Sequence, residues 1–170
     1  MSRVPAAKHA ACVALGANIG EPMRQIEEGF AALAALPETR LLARSSLYCS
    51  APVGYADQPD FINAVAMIET ALGPHELLAA LLAVERAHGR VRDFPNAPRT
   101  LDLDIVLYGD LVLHEPGLTI PHARMLERAF VMVPLAEIAP DAQVPGRGRV
   151  SELAARLDAD SVAQLQRMPA

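Results

Sequence analysis

From His9 to Leu15 the chain runs almost free of polar side chains and then breaks at Gly16-Ala17-Asn18-Ile19-Gly20, the pattern of a buried strand entering a tight turn. Pro22 suits the first turn of a helix, and Met23, Ile26, Phe30 and Leu33 recur at helical spacing until Pro37 stops it. A second strand-like stretch spans Leu41 to Ser50, and Ala51 to Asp60 is a loop rich in Pro, Gly and Asp. Phe61 to Thr70 alternates as a third strand, with Phe61, Asn63, Val65 and Met67 on one face and Ile62, Ala64, Ala66 and Ile68 on the other. Pro74 to His88 reads as a second helix with Leu77, Leu78, Leu81 and Val84 on its apolar side and Gly89 as its stop. Arg90 to Arg99 is a proline-broken loop, Leu101 to Tyr108 a fourth strand, and Gly109-Asp110 before Leu111-Val112-Leu113 a hairpin signal. Beyond Pro140 the pattern loosens, with short helices expected at Ser151 to Arg156 and Ser161 to Gln166.

Strand, helix, strand, strand, helix, strand is the order of a ferredoxin-like split βαβ sandwich of the α+β class. Its antiparallel sheet carries helices on one face and leaves the other for ligands. A chain of 170 residues fits one such domain. Net charge is −5, so no global basic field draws the chain to nucleic acid. No apolar run approaches the ~18 residues of a membrane span, and Met1 to His9 lacks the pattern of a signal peptide. A cytoplasmic location is expected. Cys12 and Cys49 lie in apolar segments without partners at metal-ligand spacing and read as buried free thiols. Lys8 is the only lysine, which excludes the phosphate-cradling P-loop.

Candidate chemistry concentrates late in the chain. In Leu101-Asp102-Leu103-Asp104-Ile105 the strand period sends Leu101, Leu103, Ile105 and Leu107 to one face and both aspartates to the other. Their Cα atoms stand ~6–7 Å apart, close enough to share a pair of hard cations as in phosphoryl transfer. The alternative is an amphipathic strand whose aspartates face water. Arg90, Arg92 and Arg99 precede the pair, and His122 and Arg128 follow it, a combination suited to a magnesium–polyphosphate complex or to an ordinary solvated surface. Glu85, at i+4 from Leu81, falls at the edge of the apolar stripe, where a surface carboxylate is the plain reading. Phe61 and Asn63 together offer a ring for stacking and an amide for reading the edge of a flat heterocycle, with Phe130 as a second ring. A core phenylalanine beside a satisfied asparagine explains the same two residues.

Gly16-Ala17-Asn18, Asp57-Gln58-Pro59-Asp60-Phe61-Ile62-Asn63, Gly89-Arg90-Val91-Arg92, Pro98-Arg99-Thr100-Leu101-Asp102-Leu103-Asp104 and Leu118-Thr119-Ile120-Pro121-His122 resemble the motifs of the 6-hydroxymethyl-7,8-dihydropterin pyrophosphokinase family. The likeness runs from about residue 10 to 140 of a single domain, 1–170, leaving 141–170 as a tail. It implies a ferredoxin-like enzyme of folate biosynthesis that moves pyrophosphate from MgATP to the pterin hydroxymethyl group and releases AMP. Asp102 and Asp104 would hold two magnesium ions. Glu85, Arg90, Arg92, Arg99, Thr119, His122 and Arg128 would line the nucleotide, with Arg90 and Arg92 catalytic alongside the aspartates. Ser50, Val53 and Asn63 would bind the pterin edge, and Phe61 and Phe130 its faces. Pro95-Asn96 stand where the family places an arginine and a tryptophan, in a loop one residue shorter. The expected partners are ATP and the pterin, without nucleic acid or membrane, acting on a monomer. Another two-metal nucleotidyl transferase on a ferredoxin-like core, or a non-catalytic binding domain of that fold, are the competing readings.

Overall fold

The computed structural model describes residues 7–51, 57–89 and 100–169. The elements are β1 (His9–Ala17), α1 (Pro22–Ala34), β2 (Thr39–Arg44), β3 (Tyr48–Ser50), β4 (Phe61–Thr70), α2 (Pro74–Ala87), β5 (Asp102–Tyr108), β6 (Leu113–Glu115) and β7 (Leu118–Ile120). After a 3-10 turn at Met125–Glu127 come α3 (Ala129–Ile138), β8 (Gln143–Val144), β9 (Gly148–Arg149), α4 (Val150–Ala155), α5 (Ala159–Ala163) and β10 (Gln166–Arg167).

The main sheet runs β10-β3-β4-β1-β5, with β2 also paired to β4, and every pairing is antiparallel. The strands that precede and follow the helices thus interleave as the split βαβ order requires. Side-chain alternation divides the sheet between two cores. Ala11, Val13 and Leu15 of β1 join Ile62, Ala64, Ala66 and Ile68 of β4 beneath Ile26, Phe30 and Leu33 of α1 and Leu77 and Leu81 of α2. Cys12, Val65 and Val106 point the other way and meet Val131, Met132 and Leu135 of α3. The face expected to be open is therefore partly roofed by a third helix.

Nothing in the periodicity announced α3. Nine of its ten residues are apolar, so it has no polar stripe to mark a helical period, and Pro134 inside it reads locally as a stop. The stretch 41–50 is two strands, not one. The Ser45 amide donates to Val65 O at 2.9 Å and its hydroxyl accepts from the Val65 amide at 2.9 Å, which turns the chain between β2 and β3. β1 continues through Gly16 and Ala17, and the turn falls later, at Gly20 with φ +70°. Leu107 lies on the same face as Val106, against the expected alternation, because the β1–β5 register slips at Cys12/Val13 and leaves Val106 as an extra residue. Tyr108 consequently turns into the first core.

Gly109 does turn the chain, yet the hairpin forms between β6 and β7, not back onto β5. The 141–170 tail is more ordered than its composition suggests through residue 169, with the β8–β9 hairpin, α4 and α5. Gln166 belongs to a strand and not to the expected last helix. Cys12 is buried, and that burial pushes its thiol up to about 12, whereas Cys49 is only half-buried.

Candidate active site

The register of β1 with its two neighbours decides what stands beside what. Gly16 pairs with Asn63 of β4 on one side and with Asp102 of β5 on the other, and Ala14 lies likewise between Val65 and Asp104. Asn63, Asp102 and Asp104 therefore share a face, with Asn63 and Asp102 ~10 Å apart across two strand spacings. The floor between them is low, since Gly16 has no side chain and a Cβ built there would come to 3.5 Å from Asn63 Oδ1.

At the β5 end, Asp102 is 9% exposed and Asp104 half-buried. Glu85 of α2, which periodicity alone placed at the surface, is buried and accepts the Leu103 amide at 2.8 Å between the two aspartates. Among the described residues no three His, Cys, Asp or Glu side chains gather around a cation position. Two adjacent carboxylates do fit magnesium, which keeps waters and takes its remaining oxygens from substrate phosphates instead of a full protein cage.

His122 follows a cis Ile120–Pro121 bond and its amide donates to Val106 O of β5 at 3.0 Å. Burial, then Arg128, push its imidazolium below the usual histidine range, against the opposing pull of Asp102. The neutral ring accepts the Arg124 amide at Nδ1, 3.2 Å away, which leaves the proton on Nε2 as a donor for an anionic oxygen. Arg128 caps α3 and places its guanidinium carbon 5.5 Å from the Phe130 ring centre. Thr119 lies half-buried on β7, opposite His114.

At the β4 end, Ser50 of β3 pairs with Phe61, and its hydroxyl accepts from Asn63 Nδ2 at 2.7 Å. Asn63 is 5% exposed, while Phe61 and Phe130 are half-buried. Nδ2 is held by Ser50, and Oδ1 turns toward the Gly16 floor. Asn18, which carried no assigned role in the sequence, is also buried and donates through Nδ2 to Gln58 Oε1 at 2.7 Å and to Pro59 O at 3.0 Å, fastening the end of β1 to the approach to β4. Its signals were a short amide just past an apolar strand and its place in the Gly16-Ala17-Asn18 motif. Arg90, Arg92, Arg99 and Val53 lie outside the described residues.

The 7,8-dihydro-6-hydroxymethylpterin-pyrophosphokinase (HPPK) family matches residues 12–140. The chain is 50% identical over 153 residues to the 2-amino-4-hydroxy-6-hydroxymethyldihydropteridine pyrophosphokinase of Pseudomonas aeruginosa, covering 90% of this chain and 94% of that one. The enzyme of the same description from Haemophilus influenzae is 47% identical over 143 residues, covering 84% and 89%. Wild-type Plasmodium falciparum HPPK-DHPS, solved with pteroate, shares the fold at a TM-score of 0.70 and 13% identity, covering 92% of this chain and 43% of that one. This chain thus spans less than half of that solved protein. The family match takes in every described residue of the site from Gly16 to Phe130, and the identity holds over nine-tenths of the chain, so the chain belongs to the 7,8-dihydro-6-hydroxymethylpterin-pyrophosphokinase family.

Proposed function

We propose that the face carrying Asn63, Gly16 and Asp102 brings a pterin and the triphosphate of MgATP together, the pterin at the Asn63 end and the phosphates at the Asp102 end. The chain is an ATP-dependent pyrophosphokinase of folate biosynthesis. In this reading Asp102 and Asp104 hold two magnesium ions, which supply charge neutralisation across the phosphates. His122, Thr119 and Arg128 contact the phosphates and nucleotide, together with Arg90, Arg92 and Arg99. Glu85 belongs to the nucleotide side, where from α2 it holds the Leu103 amide of the strand that carries the aspartates. Phe61 and Phe130 stack on the pterin, and Ser50, Val53 and Asn63 read its edge.

The pterin hydroxymethyl oxygen attacks the β-phosphorus. The bond from that phosphorus to the α,β-bridging oxygen breaks, AMP leaves with the electron pair, and the hydroxyl proton is released. Positioning and charge neutralisation account for the catalysis, since both reactants are held on one rigid sheet face. The observation that carries this reading is the register Asn63–Gly16–Asp102 across three adjacent strands. The reading includes neither nucleic acid nor membrane, and no described helix is long and apolar enough to cross a membrane. The enzyme acts as a cytoplasmic monomer.

The test is incubation with ATP, magnesium and 6-hydroxymethyl-7,8-dihydropterin, with products quantified. AMP and pyrophosphorylated pterin in equal amounts are expected. Release of inorganic pyrophosphate with AMP joined to the acceptor would instead identify a nucleotidyl transferase, and ADP a simple phosphokinase.

A further inference from the structure

Strand β3 has only three residues, yet it carries Ser50, whose hydroxyl fixes the amide of Asn63. Two contacts hold it from outside the sheet core. Along its free edge runs β10, beyond the segment that the family match covers, with Gln166 paired to Cys49, Arg167 to Tyr48, and the Met168 amide donating to Leu47 O at 2.8 Å. At its start is Glu137, in the last turn of α3. That carboxylate accepts the Ser46 amide at 3.0 and 3.1 Å, the Ser46 hydroxyl at 3.0 Å and the Tyr48 hydroxyl at 2.6 Å. Arg167 closes the group, 3.7 Å from Glu137 and donating to Ser46 Oγ at 3.0 Å.

The opposite end of α3 carries Phe130, so one carboxylate joins the helix bearing one proposed pterin wall to β3, whose Ser50 holds Asn63 and pairs with Phe61, the other wall, on β4. We propose that Tyr48, Glu137 and Arg167 are positioning residues that set the separation of these two walls, with β10 as the clasp that keeps β3 in place. This rests on the assignment of Ser50, Phe61, Asn63 and Phe130 to the pterin. The aspartates stand on β5, Glu85 on α2 and His122 after β7, away from the clasp, and of the described nucleotide residues Arg128 alone caps α3, at the end opposite Glu137, which gives the inference its signature. Loosening the clasp disturbs the pterin and spares the nucleotide, whereas general destabilisation would affect both.

Tyr48→Phe removes one hydroxyl and no volume, and Arg167→Ala changes an exposed side chain, so both variants should fold. For each, KM is measured for the pterin and for ATP, binding of 6-methylpterin, which lacks the accepting hydroxyl, is followed calorimetrically with α,β-methylene-ATP present, and hydrogen exchange is read at residues 47–50. A hydrogen bond to a charged group is lost, so the pterin KM and the 6-methylpterin Kd should rise about tenfold. ATP KM should stay within about twofold, and exchange at 47–50 should quicken. Equal rises in both KM values, or an unmoved pterin KM despite faster exchange, would overturn the inference while leaving the site assignment standing. A wild-type protein that turns over no pterin would overturn both.

Discussion

The Glu85 carboxylate, buried on α2, accepts the backbone N–H of Leu103 at 2.8 Å, between the two aspartates of β5. An edge strand exposes a row of unpaired amides, and this bond satisfies one of them while fixing the strand's rotation relative to α2. Glu85→Ala strands that amide in a buried setting and should cost ~1–3 kcal/mol of stability, with a raised magnesium requirement for turnover. Glu85→Gln retains an acceptor and should recover most of the stability. Urea denaturation of the two variants, beside magnesium titrations of activity, makes the comparison. Equal stability of the alanine and glutamine variants would show that the acceptor has no such role.

Asp102 and Leu103 are neighbours with opposite duties. Asp102→Asn and Asp104→Asn remove a charged oxygen ligand without altering core volume, so turnover should fall ~10²–10³-fold, the scale of losing a preorganised transition-state contact, while the thermal midpoint barely moves. Leu103 is 2% exposed in the first core, and Leu103→Asp should leave the chain unfolded, because an unpaired carboxylate would enter apolar packing. Circular dichroism and AMP release separate the outcomes, and an active Asp102→Asn enzyme would remove that carboxylate from the metal site.

The Tyr48–Glu137 pair gives stability a pH window. Burial alone would raise Glu137, but the Tyr48 hydroxyl, the Ser46 amide and hydroxyl, and Arg167 outweigh it and hold the carboxyl below its usual range. A depressed folded-state pKa means that the contribution is complete above the ordinary carboxylate range and is lost as pH falls through the folded value. Tyr48 moves the other way, pushed from 10.0 up to about 12 by burial and then by Glu137. Its contribution is complete below 10.0 and lost as pH rises toward 12. Urea midpoints against pH should therefore decline at both ends, and Tyr48→Phe should flatten the alkaline decline. An unchanged alkaline slope in that variant would exclude Tyr48 as its source.

Where a strand alternates cleanly, its sequence is enough to place its side chains. Phe61 to Thr70 divides into faces as its alternation requires, so Asn63 and Val65 could be assigned to the face opposite Ile62 and Ala64 before any coordinates. Leu107 could not, since the extra residue Val106 is a property of pairing with β1 and leaves no local mark. Glu85 was misplaced for a related reason. Helical spacing locates it at the stripe's edge, but only the arrival of β5 supplies the amide that makes burial tolerable. The α3 helix and β10 escaped detection in opposite ways, one apolar but for Glu137 and the other a polar pair whose strand character comes entirely from β3. The aspartate pair was legible because two acidic residues at strand spacing are unusual in themselves. Their relation to Asn63 across Gly16 required the register.

That relation yields the last prediction. A Cβ at Gly16 would touch nothing nearer than Asn63 Oδ1 at 3.5 Å, an ordinary contact, so Gly16→Ala should fold normally. The methyl group nevertheless stands on the floor between the proposed pterin and phosphate ends, and Gly16→Val adds branches that the substrates would have to cross. Stability should therefore hold while turnover falls stepwise from glycine to alanine to valine. Gly29 provides the contrast on the other side of the sheet. A Cβ there would lie 2.8 Å from Leu15 Cδ2 and 3.4 Å from Leu101 Cδ1, both in the packed core. Gly29→Ala should thus destabilise by ~1–3 kcal/mol through overpacking, although alanine is the better helix former. Thermal midpoints and turnover measured on the same three variants test the division. If Gly16→Val kept full activity, substrate would not pass over Gly16, and the two ends of the site would have to be bridged elsewhere.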